Sequence, residues 1–140
     1  ARLADLPPQP PLDRLLAAID LIAVHYSAEP DFYRGFYAAM IGVEANPLRD
    51  VMSEEGQHLW GELVGAALTS GELAPLVSLD VLTGLLLRTV ASSVEAWLAE
   101  GWEAGRFAAE LRTASRLMVL GLVSGERAAA LRDQLRAGPR

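Results

Sequence analysis

His25 and His58 are the side chains in this sequence best suited to acid–base or metal chemistry, and each has carboxylates close by in the chain. Glu29 follows the first histidine, and Glu54 and Glu55 precede the second. An imidazole titrates near neutral pH and ligates metals through either ring nitrogen. The two histidines fall on different predicted helices and form no His-x(3)-His pair, so no metal is expected. Glu54 and Glu55 are adjacent, which puts them on different faces of a helix and favours solvation over paired acid–base work. The sequence has no Gly-x-Ser-x-Gly elbow, phosphate loop or Gly-x-Gly-x-x-Gly turn. Cysteine is absent, which removes thiolate ligands, nucleophiles and disulfides. No catalytic set and no cofactor are therefore expected. The histidines read as surface or boundary residues, with contact to a ligand as the alternative.

Binding has more to work with. Phe32, Tyr33, Phe36 and Tyr37 fall within six residues. Phe36 and Met40 stand four apart, as core residues do, but a pocket lining has the same pattern: apolar walls with a few polar handles. Tyr26, Tyr37 and His58 would be those handles. A filled core and a hollow one share this signature, and both readings stay open. If the interior is hollow, the pocket lies between the first four helices, lined by Ile22, Tyr26, Phe36, Met40, Leu59, Leu63, Leu86 and Val90. Such walls suit an apolar, aromatic or polycyclic small molecule, and the acidic balance leaves room for a cationic one. Gly61 and Gly65 lie inside a predicted helix, where each glycine costs roughly 1 kcal/mol against alanine. They mark either close helix packing or a bowed helix with room for a ligand.

The elements that position these residues are helices. Residues 1–11 are proline-rich and read as a linker or tail. A first helix runs from about Leu12 to Ala28. A second starts at Pro30, whose missing N–H costs nothing there, and runs to about Ala45 with Phe32, Phe36, Ala39, Met40 and Val43 inward and Tyr33 and Tyr37 flanking. Asn46-Pro47 restarts the chain as a third helix to Ser70, burying Leu48, Met52, Leu59, Leu63 and Ala66. Gly71 caps it, and residues 71–75 form a turn. Ser78 caps a fourth helix that ends at Gly101, and a fifth extends to Gly125. Residues 126–137 form a short sixth helix or a frayed tail. The prediction is an all-α domain of five to six helices over residues 12–124, with 125–140 as that appendage.

The fourth helix has almost no polar side. Leu79, Leu86, Val90, Val94 and Trp97 form one apolar face, and Leu82, Leu85, Thr89 and Ala96 a second. Only Gly84, Arg88, Ser92 and Glu95 suit water. A surface helix needs one apolar stripe, so the second calls for another layer. Together with the apolar Leu117–Val123 stretch, it predicts a homodimer whose last two long helices form a four-helix bundle. The expected contacts are Leu82, Leu85, Thr89, Leu117, Leu120 and Gly121.

Composition sets the outer limits. At 140 residues the chain is one domain by size. Its charge-free runs reach nine residues, against the roughly twenty of a membrane span, so no membrane partner is expected. No signal peptide opens the chain, and a cytoplasmic location is the default. All twelve basic residues are arginine, a pattern that codon bias in a high-GC genome produces. A net charge of −6 repels phosphates, so the chain itself does not grip nucleic acid.

The residues Leu63-x(4)-Leu68-x(2)-Gly71-Glu72-Leu73, Leu85-Leu86, Ala96-Trp97-Leu98 and the Leu117–Leu122 stretch, in that order, resemble the C-terminal domain of TetR-family transcriptional regulators. The resemblance covers about Leu12–Ser124. It implies a ligand-binding and dimerisation domain of a repressor, released from DNA when a small molecule enters between the helices. DNA binding in that family belongs to an N-terminal helix-turn-helix, which nothing here resembles. The expectation is a chain lacking that head. Where the family often has Asp-Pro before the fourth helix, this chain has Leu76-Val77-Ser78-Leu79-Asp80. The alternatives are a purely structural helical dimerisation module and a small helical enzyme.

Overall fold

A computed structural model describes residues 8–41 and 47–137, with side chains for 8–38 and 54–137. Six helices follow one another: α1 (Pro11–Ala28), α2 (Pro30–Ile41), α3 (Pro47–Thr69), α4 (Leu79–Glu100), α5 (Ala104–Leu120) and α6 (Gly125–Ala137). All regular structure among the described residues is helical, as the sequence predicts. Prolines open the first three helices, where a fixed φ and a missing N–H are both tolerated. Ser78 caps α4, its hydroxyl accepting the Val81 N–H at 3.3 Å. Gly71 and Gly101 follow α3 and α4 at φ of 78° and 65°, a left-handed conformation that side chains resist. The expected caps at Ser78 and Gly71 and the expected end of the fourth helix at Gly101 are thus observed, while Asn46 lies outside the described residues.

Four helices close into a ring. α1 packs on α3 and α5, and α4 packs on the same two from the opposite side. Neighbours run antiparallel. Leu12 at the start of α1 meets Glu72 just past α3, Leu79 at the start of α4 meets Gly65 near the end of α3, and Trp97 late in α4 stacks on Phe107 early in α5. Asp20 of α1 meets Arg112 and Arg116 of α5. The result is an up-down-up-down bundle completed within one chain. Its interior holds Leu12, Leu15, Ile19, Val64, Leu82, Leu86, Val94, Trp97, Phe107 and Leu111. α2 leans on α1, and α6 lies along α5.

Several faces are rotated from the sequence expectation. On α2, Tyr33 and Tyr37 pack against the core while Phe32 is 60 % exposed. Each aromatic pair has the same four-residue spacing, and a shift of one residue, about 100° round the helix, exchanges them. On α3 the buried residues are Trp60, Leu63, Val64 and Ala67, and Leu59 and Ala66 are exposed. Leu48, Met52, Ala39 and Met40 lie outside the described side chains, and Val43 outside the described residues. Leu82, expected to face a second chain, is 1 % exposed inside this one. The inward stripe of α4 is Leu82, Leu86, Val94 and Trp97, so Leu79 stays partly in solvent and Leu85 points out. α5 stops at Leu120, because Leu122 folds back to donate to the Val119 carbonyl. α6 is a helix that buries Ala128 and Leu131.

Candidate functional site

Where α1 ends, α2 begins and the α4–α5 turn passes, the helix ends place a run of aromatic rings side by side. Tyr33 lies parallel to Tyr26 at 4.0 Å between centroids, Tyr26 is 6.3 Å from Phe107, and Phe107 is 4.8 Å from Trp97. His25 meets Tyr33 edge-on at 5.6 Å, and Phe32 stacks on Phe36 at 6.2 Å. The Arg34 guanidinium sits 5.8 Å from the Trp97 ring and pairs with Asp31 at 3.2 Å. Phe107 and Trp97 are fully buried and anchor the stack, and Tyr26, Tyr33 and Tyr37 are partly buried and packed against the core.

Burial raises the pKa of those phenols above the ordinary value of 10.0. The Tyr37 hydroxyl is pushed up to about 12, chiefly by desolvation, with Tyr26 and the Glu95 carboxylate adding to it. Tyr26 is raised by burial and by Tyr33, and Tyr33 by burial and by Glu29. At neutral pH the cluster offers protonated phenols on an aromatic floor, with the His25 imidazole edge-on to Tyr33.

Of the residues the sequence singled out for a pocket, Tyr26 and Tyr37 come together here, and Ile22 and Val90 pack against the core. Phe36 is half-buried beside Phe32. Leu63 and Leu86 are packed into the bundle interior. His58 is not part of this group: it lies on the outer side of α3 and pairs with Glu62 at 3.3 Å, one turn on. Leu59 faces outward beside it. The rotation of α3 that buries Trp60 turns both outward. Trp97, Phe107, Arg34 and Glu95 were not singled out for this cluster, and Tyr33 entered only as a flanking member of the aromatic run. The signal that could have found them is the three-residue turn between α4 and α5, which forces residues near its two ends onto each other.

The other polar concentration is structural. Asp20 accepts from Arg112 at 3.0 Å and from Arg116 at 3.1 and 3.3 Å, and Arg116 reaches Gln134 of α6 at 3.4 Å. Arg127 of α6 pairs with Asp13 of α1. These side chains tie three helices together and offer no uncommitted carboxylate. Among the described residues no group of three or more potential ligands is placed to hold a metal.

At the other end of the α4–α5 pair, Val81, Leu85 and Leu117 are exposed, joined by Leu76 and Val77 of the turn before α4. The Ala74 N–H donates to the Leu122 carbonyl at 2.7 Å and holds that turn beside the end of α5. Of the expected dimer contacts, Leu85, Leu117 and Gly121 are exposed and Thr89 and Leu120 half-buried. Leu82 is inside. Compared with family models, with curated proteins and with solved structures, the chain finds no match in any of the three.

Proposed function

We propose that this chain is the dimerising, ligand-sensing domain of a transcriptional repressor similar to the TetR family. The observation that carries the proposal is the exposed apolar end of the α4–α5 pair: Leu76, Val77, Val81, Leu85 and Leu117. α4 is long and apolar enough by length and composition to cross a membrane, with a mean hydropathy of 1.3 over its best window and only 28 % of that window buried. Arg88 and Glu95 stand on the same outer side, which favours a protein surface over lipid. A second copy laid against this end would extend the bundle and bury about 1,500 Å², the size of a stable specific interface.

Sensing would work by population shift. A molecule bound among the helices favours one spacing of the paired domains, by no more than its difference in affinity for the two states. Contact with DNA would belong to a helix-turn-helix outside this sequence, since an acidic chain lacks the phosphate term of binding. The tight packing of Leu63 and Leu86 favours a second reading, a solid dimerisation module without a ligand.

Amide hydrogen exchange at nanomolar and at tens of micromolar chain tests the assembly. Protection should rise with concentration at Val81–Leu85 and Leu117–Leu120 and stay constant over α1. Exchange independent of concentration at those segments would remove the proposal's main support.

A further inference from the structure

The outer side of α4 carries apolar and charged residues in an order that complements itself. Leu82, Leu86, Val94 and Trp97 face the core, and Leu79 and Leu87 lie against Gly65 and Gly56 of α3. Val81, Leu85 and Arg88 are left exposed on the opposite face, with Val77 exposed just ahead of the Ser78 cap and Asp80 exposed in the first turn. The Arg88 side chain does not stand out from the helix. It folds back one turn over Gly84, where a methyl group would lie 3.4 Å from its Nη1. The charge is therefore presented level with Gly84, at the edge of the apolar residues. Among the described residues neither Arg88 nor Asp80 forms an ion pair.

Two copies meeting symmetrically through this face can run parallel or antiparallel. In a parallel pair each residue meets its own copy, which sets Arg88 against Arg88 and Asp80 against Asp80, and opposed like charges are unfavourable. In an antiparallel pair centred on Val81, residues equally far from the centre meet. Val81 then meets itself, and Leu85 comes level with Val77. Gly84 stands three residues past the centre and comes level with Ser78, three residues before it. Side chains on a helix lean towards its N-terminus, so the Asp80 carboxylate leans towards the level of Ser78. The folded-back guanidinium and that carboxylate thus arrive at the same height.

We propose that the occupant of this face is a second copy of the chain lying antiparallel, with Arg88 bonded to the partner's Asp80 in two equivalent pairs. This pairing rests on the dimer proposed above and adds its orientation and register. An exposed ion pair contributes little affinity. Its effect here is selective, because parallel and shifted arrangements oppose like charges or leave both groups unpaired.

Sedimentation equilibrium of the full chain tests the pairing, with Asp80→Arg, Arg88→Asp and a one-to-one mixture of the two variants alongside wild type. Either reversal alone opposes like charges twice per dimer and should weaken self-association by roughly ten-fold or more. In the mixture one chain is positive at both positions and the other negative at both, so a heterodimer of near wild-type affinity should form. Both side chains are exposed, so helicity should be unchanged. Should Asp80→Arg fail to fold, Arg88→Asp must dimerise more weakly than Arg88→Gln. If the mixture associates no more tightly than the separate variants, or Arg88→Asp dimerises like wild type, the antiparallel pairing is overturned while the dimer stands. A wild-type chain that stays at 15.0 kDa at tens of micromolar overturns both.

Discussion

The Glu72 carboxylate accepts the backbone N–H of Leu12 at 3.0 Å, so the turn that closes α3 caps the start of α1. Pro10, in the N-cap position, has no side chain able to do this. The Ser70 hydroxyl donates to the same carboxylate oxygen at 3.2 Å, and Leu73 anchors the turn from inside the core. Gly71, Glu72 and Leu73 thus divide the work of reversal, cap and anchor.

Glu72→Ala should lower unfolding stability in urea by about 1 kcal/mol, the usual worth of a helix cap. Glu72→Gln should lose less, because its oxygen still accepts the bond and only the favourable charge at the helix N-terminus is gone. Equal stability of all three proteins would show that the cap contributes nothing.

Asp20→Asn should cost about 1–3 kcal/mol, because hydrogen bonds to charged groups are among the stronger ones. The three side chains are partly exposed, which places the effect below that of a fully buried ion pair. The difference should shrink in about 1 M salt, where the screening length is roughly 3 Å. Urea unfolding of both proteins at low and high salt measures it.

Alkaline pH should destabilise the aromatic end. Tyr37 is held at about 12 in the folded chain against its ordinary value of 10.0, and Tyr26 and Tyr33 are shifted in the same direction. The folded state thus keeps protons that the unfolded state gives up. The contribution is fully present below pH 10 and is lost as pH rises from about 10 to about 12. Melting temperatures measured across that interval should fall more steeply for wild type than for Tyr37→Phe.

The helical class and most helix ends were legible because they depend on local chemistry: prolines at first turns, Ser78 as a cap, glycines where the backbone turns left-handed. Helix faces were less legible. Phe32/Phe36 and Tyr33/Tyr37 have the same spacing, as do Leu59/Leu63 and Trp60/Val64, and only contacts with other helices decide which pair goes inward. Leu82 and Leu85 posed the same choice on α4. α6 looks like a tail because its apolar residues are few. What holds it to the bundle includes Arg127 with Asp13 and Arg116 with Gln134, pairs far apart in sequence. The aromatic cluster was half legible: Tyr26 and Tyr37 came from composition, whereas Trp97 and Phe107 needed the packing of α4 on α5.

Molar mass in solution tests the central claim most directly. Light scattering on the eluting protein at tens of micromolar should give about 30 kDa, twice the 15.0 kDa of one chain. Leu85→Ser combined with Leu117→Ser should halve that value without loss of helicity, since both side chains are exposed in the single chain. A wild-type mass of 15.0 kDa at that concentration would contradict the account.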